Sequence, residues 1–127
     1  MAVHINSKAA AERFLTAFYS GDVDETRRAV IDGFTLEGPF ATAHNVDELL
    51  RLASGLMKIS QGHKVLRWVV EDDSVSVLYQ IILSGGDGGQ GLLTTGGWFT
   101  AVDGRLARGR VIYDSAEFDA IVGTARS

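Results

Sequence analysis

Not one cysteine occurs in the 127 residues, and proline occurs once, at Pro39. Without thiols there is no disulfide, no thiolate metal site and no cysteine nucleophile. A basic excess is also missing: 12 Lys and Arg stand against 16 Asp and Glu, a formal net charge of −4. A nucleic-acid footprint needs a clustered basic face, so that partner is excluded. No apolar run approaches the roughly 20 residues that span a bilayer, and no membrane association is expected. The opening "MAVHINSKAAAERF" has no apolar h-region, so nothing suggests export and a cytoplasmic protein is the default. What remains is an ordinary hydrophobic fraction of 46%, in a chain long enough for one domain, residues 1–127, with its own core.

The first half has helical periodicity. Ala10, Phe14 and Phe18 recur every fourth residue, with Ala11 and Leu15 beside them, giving one apolar face. Ser7 is the expected N-cap, and "SGD" ends the helix at Gly21. Asp22 and Glu25 have capping-box spacing for a second helix from Val23 to about Asp32, closed by Gly33. "FTLEGPF" alternates as a strand until Pro39 stops it. Asn45 with Glu48 opens a third helix that buries Leu49, Leu52, Ala53 and Leu56.

The second half reads as strands. "HKVLRWVV" and "SVSVLYQIIL" are rich in β-branched and aromatic residues and are separated by the polar turn "EDDS". "GLLTTGGWFTAV" and "RLARGRVIYD" are joined by "DG", a two-residue hairpin signal. "SGGDGGQG" is a flexible connection, and "DSAEFDAIV" is a short last helix with Asp114 and Glu117 at capping-box spacing. Helices segregated from strands in this way predict an α+β fold, with helices packed on one face of a curved antiparallel sheet.

Most candidate chemistries fail on spacing. His4, His44 and His63 are scattered, with no pattern of metal ligands. The glycine run lacks the Lys-Ser/Thr ending of a phosphate loop and leads into a strand. No G-x-S-x-G elbow exists for a serine nucleophile. No cofactor is therefore expected. The aromatic residues Phe14, Phe18, Tyr79, Phe99 and Tyr113 could converge on one cavity or simply pack a core, and both readings stay open.

The segment "ERFLTAFYSGDVDETRRAVIDGFTLEGPF", with the later "DGRLARGRVIYD", resembles the nuclear-transport-factor-like superfamily. That group includes ketosteroid isomerases, SnoaL-like polyketide cyclases and limonene-epoxide hydrolases. The resemblance implies a cone-shaped, cystatin-like roll with helices on the concave side of the sheet. It also implies a homodimer through the outer sheet face. The functional positions of these enzymes look empty. The isomerase base falls at Gly38, its oxyanion-hole tyrosine at Phe14 and its oxyanion-hole aspartate at Gly97. The epoxide-hydrolase positions fall at Val111 and near Gln80 and Ile82.

Strand alternation then predicts the pocket. Val77, Tyr79 and Ile81 on one strand face inward, with Gly97, Phe99 and Ala101 on the next and Gly109, Val111 and Tyr113 on the last. The two glycines are expected to widen the cavity. Leu78, Ile82, Trp98, Val102 and Ile112 face outward. Phe14, Phe18, Tyr79, Phe99, Val111 and Tyr113 are the candidate ligand-binding residues, and a small hydrophobic molecule is the expected partner. Two alternatives stand beside binding. One is an isomerase, cyclase or hydrolase with a non-standard acid/base drawn from Glu37, His44, Asp114 or Tyr79. The other is a non-catalytic dimerisation module.

Overall fold

A computed structural model of the chain describes residues 5–39, 42–56, 58–85 and 89–122. His4 and the 86–88 part of the glycine-rich loop lie outside them. The elements run α1 (Ile5–Ser20), α2 (Val23–Ala29), β1 (Val30–Glu37), β2 (Thr42–Ala43) and α3 (Val46–Leu56). Then follow β3 (Ser60–Glu71), β4 (Ser74–Ser84), β5 (Gln90–Val102), β6 (Arg105–Tyr113) and α4 (Ser115–Val122). The strands form one six-stranded sheet in the order β2-β1-β6-β5-β4-β3. All pairings are antiparallel except β1 with β6, which run parallel. The fold is α+β, with a curved, open sheet and the helices against its concave face. No helix among the described residues is long and apolar enough to cross a membrane.

The helix ends follow from local chemistry, with two departures. The amide of Asp22 donates to the Ala17 carbonyl at 2.9 Å and that of Gly21 to the Phe18 carbonyl at 3.3 Å. This is a Schellman closure, and Gly21 takes the left-handed φ of 76° that it requires. Asp22 caps α2 by accepting from the Glu25 amide at 3.0 Å, and Asn45 caps α3 by accepting from Glu48 at 3.0 Å. Ser7 is no cap; it is buried inside α1, which begins earlier. Gly33 does not close α2 either. The chain turns extended at Val30, because Val30 and Phe34 are needed in the core as strand residues.

The second half keeps the strands the sequence predicts. Asp103 and Gly104 both have positive φ, 50° and 80°, which turns β5 into β6 in two residues. In β3, a bulge between Ser60 and His63 with Gly62 at φ 118° sets His63 opposite Ile81, and so on the concave face. Alternation sorts the faces as expected. Val77, Tyr79, Ile81, Phe99 and Ala101 are buried, whereas Leu78, Trp98, Val102 and Ile112 are 43–53% exposed.

The narrow end of the cone is solid. Phe14 meets Phe34 and Phe99 at ring-centroid distances of 5.6 Å each and stacks on Phe18 at 5.2 Å. Phe99 lies across two glycines: a Cβ on Gly97 or on Gly109 would sit 2.8 Å from its ring. The glycines therefore do not widen a cavity. They make room for a buried phenyl ring, which fills the space that their missing side chains leave.

Gly109→Ala is accordingly expected to lower stability by about 1–3 kcal/mol through overpacking, read from urea unfolding. The cost should shrink in a Phe99→Leu background. An equal cost in both backgrounds would show that the ring is not the obstacle.

Candidate functional site

At the wide end the same concave face is open. A cavity of about 380 Å³ lies between the sheet and α1, α3 and α4. Its floor is Phe18, Leu36 and Val111, its walls include Leu52, Ile81 and Leu93, and Phe118 of α4 stands at the side. Among the described residues no Asp, Glu, Lys, Arg or His lines it. Aliphatic and aromatic walls with a few polar groups are the usual form of a small-molecule site.

The polar groups are phenols. Tyr19 and Tyr113 line the cavity. Tyr79 stands behind, its hydroxyl 2.7 Å from that of Tyr19 in a buried hydrogen bond. The rings of Tyr19 and Tyr79 are 5.6 Å apart, and His63 approaches them at 5.9 and 6.2 Å. Burial pushes all three phenols above their ordinary values, since a phenolate would be stranded in an apolar interior. Burial likewise depresses the half-buried His63 below its ordinary 6.5. Among the described residues no three His, Asp or Glu side chains gather as a metal site needs.

The six candidate ligand residues divide evenly. Phe18, Val111 and Tyr113 line the cavity. Phe14 and Phe99 are spent on the aromatic layer beneath its floor, and Tyr79 is screened from it by Tyr19. The acid/base candidates other than Tyr79 all lie outside. Glu37 is exposed on the outer face, in a shallow groove with Trp98 and Arg110, while Gly38 lines the cavity. Asp114 caps α4, accepting from the amides of Ala116 and Glu117 at 2.9 and 3.2 Å. His44 is exposed and bonds Glu48 at 3.0 Å. Of the epoxide-hydrolase positions only Val111 lines the cavity; Gln80 and Ile82 alternate away from Tyr79 and Ile81.

Tyr19 was not foreseen. It follows Phe18 directly, so it falls beside the apolar stripe that periodicity picks out. A signal was nonetheless present: Tyr19 and Tyr79 are both tyrosines on elements expected to face the cone.

The SnoaL-like domain family matches residues 11–109. The chain belongs to that family. Solved structures of similar fold include an LEH-like epoxide hydrolase from M. tuberculosis, at 19% identity and TM-score 0.78, covering 93% of this chain and 90% of that one. A Jannaschia protein assigned as a SnoaL-like polyketide cyclase has 17% identity and TM-score 0.78, with 95% and 94% covered. TerC, co-crystallised with polyporic acid, has 14% identity and TM-score 0.79, with 92% and 98% covered. At these identities the likeness is one of fold. No curated protein matches the sequence.

His63 supplies a test of the polar end. Because folding depresses its proton affinity, the unfolded chain binds the proton more readily between that lowered value and 6.5. Its contribution favours the folded state fully above that window and is lost as pH falls through it. Unfolding free energies at about pH 7.5 and 5.5 should thus differ less in His63→Gln than in the wild type. An identical difference in both would place His63 in solvent.

Proposed function

We propose that this SnoaL-like domain binds a small, largely apolar molecule in the cavity at the wide end of the cone. The observation that carries the reading is a cavity of about 380 Å³ whose lining, among the described residues, holds no charged side chain. An ion entering it would lose hydration with no counter-charge to meet it, whereas apolar area gains about 25 cal/mol per Å² on leaving water. The co-crystal of TerC with polyporic acid supports a ligand-holding role for this fold. Isomerase, cyclase or hydrolase chemistry is the weaker reading. A general base must reach the substrate proton, and Glu37, His44 and Asp114 are all turned to solvent or to a cap.

A second proposal concerns the outer face, where we assign a second copy of the chain as partner. Leu78, Gly96 and Ile112 sit side by side across β4, β5 and β6, and Trp98 lies over Gly96. Leu66, Val69 and Leu92 extend this exposed apolar surface. A broad apolar sheet face is costly to leave in water, and a two-fold axis lets one such patch cover its own copy.

Titration with N-phenyl-1-naphthylamine, a neutral fluorophore, should show saturable binding at one site per chain. Val111→Trp and, at the rim, Leu56→Trp fill the space and should each weaken it at least about tenfold with the melting temperature retained. Absent saturation, or binding indifferent to both substitutions, would remove the reading. For the outer face, sedimentation velocity should give a dimer that Trp98→Lys with Ile112→Lys converts to monomer. A monomeric wild type would sink that proposal.

A further inference from the structure

The Tyr19–Tyr79 pair has two phenol protons and one hydrogen bond between its oxygens. Among the described residues neither hydroxyl has another hydrogen-bond partner, and both residues are at most 4% exposed. The two possible directions of the bond are not equivalent. If Tyr19 donated, the Tyr79 proton would be buried away from the cavity with nothing to bond, and an unmet buried donor is costly. If Tyr79 donates, its proton is satisfied. The Tyr19 proton is then left for a partner in the cavity, which Tyr19 lines and Tyr79, among the described residues, does not. A hydroxyl that accepts one hydrogen bond also becomes a better donor of the next.

The donor is held in place. The Tyr19 ring is wedged edge-on against Phe18 at 5.1 Å and tilted against Tyr79 and His63, and the Ser60 hydroxyl donates to the Tyr19 carbonyl at 2.9 Å. A polar group fixed before the ligand arrives does not have to be ordered on binding. The place is also separate from the positions where the superfamily resemblance would put polar chemistry, which are Phe14, Gly38 and Gly97 here.

We infer that the inner end of the cavity is a subsite for a neutral acceptor oxygen of the carbonyl class, a ketone, ester or quinone, with Tyr19 as donor and Tyr79 as its positioning residue. This rests on the cavity being a ligand site. It adds which end of the ligand goes inward and which polar group it carries. A carboxylate is disfavoured, because among the described residues the lining offers it no cation. Burial keeps both phenols protonated across the neutral range, so the donor is constant there.

The test uses three probes of similar shape, acetophenone, ethylbenzene and benzoate, competed against N-phenyl-1-naphthylamine on the full chain. Acetophenone and ethylbenzene should displace the fluorophore and benzoate should not. Tyr19→Phe should weaken acetophenone about five- to tenfold and leave ethylbenzene within about twofold. The infrared carbonyl band of bound, carbon-13-labelled acetophenone should lie at lower wavenumber than in an apolar solvent. Tyr19→Phe should abolish that shift, and Tyr79→Phe should diminish it without abolishing it. A Tyr19→Phe effect shared equally by acetophenone and ethylbenzene would overturn the inference, as would a shift lost only in Tyr79→Phe. Fluorophore binding that no acetophenone displaces leaves the cavity standing and overturns the carbonyl subsite. A chain that binds no fluorophore loses both.

Discussion

One ring position organises the molecule. Phe99 lies flat on its own sheet because Gly97, two residues before it, and Gly109, across on β6, have no Cβ to hold it off. Flattened there, it presents a surface on which Phe14 of α1 packs, with Phe34 closing the layer. Each such ring pair is worth roughly 0.5–1.5 kcal/mol beyond its buried area. The helix is thereby pinned to the narrow end of the cone. Further along α1, Phe18 stacks on Phe14 and with Tyr19 lines the cavity above the layer. Solid at one end and hollow at the other, the concave face is divided by where the glycines fall.

That division bears on chemistry. The acidic groups nearest the cone are occupied elsewhere: Asp114 holds two amides at the start of α4, and Glu37 alternates outward one residue before Gly38. The cavity is left with phenols that burial makes harder to ionise. Such groups donate hydrogen bonds well and abstract protons poorly at neutral pH. The family also has an epoxide hydrolase among its structural relatives, and with that protein this chain shares the fold.

Much of this was legible before any coordinates. A period of two sorts strand residues by face without knowledge of the rest of the chain, so Tyr79 and Ile81 fell inward and Leu78 and Trp98 outward. The Asp22 and Asn45 caps were legible because the side chain bonds an amide three residues away. The errors share a cause, which is dependence on distant partners. Gly33 resembles a helix stop, yet β1 begins at Val30, where pairing with Leu106 of β6 draws the chain into the sheet. Gly97 and Gly109 look like space, until a ring from two residues on or from the neighbouring strand fills it. Tyr19 was passed over because helical periodicity rewards apolar neighbours, whereas its role comes from a hydroxyl 60 residues away in sequence.

The two faces of the sheet can be varied independently, and the reason is again alternation. Along β5 the order is Gly97 in, Trp98 out, Phe99 in; along β6 it is Gly109 in, Arg110 out, Val111 in, Ile112 out, Tyr113 in. A substitution on one face leaves the other face's side chains where they were, provided the backbone register holds. Register is held here by burial, since a slip of one residue would drive Trp98 and Ile112 into the core and Phe99 into water. The constraint that forbids slippage is thus the same one that sets Phe99 over its glycines. A fold tied down at its narrow end can change the lining of its wide end while the sheet and its outer surface stay as they are.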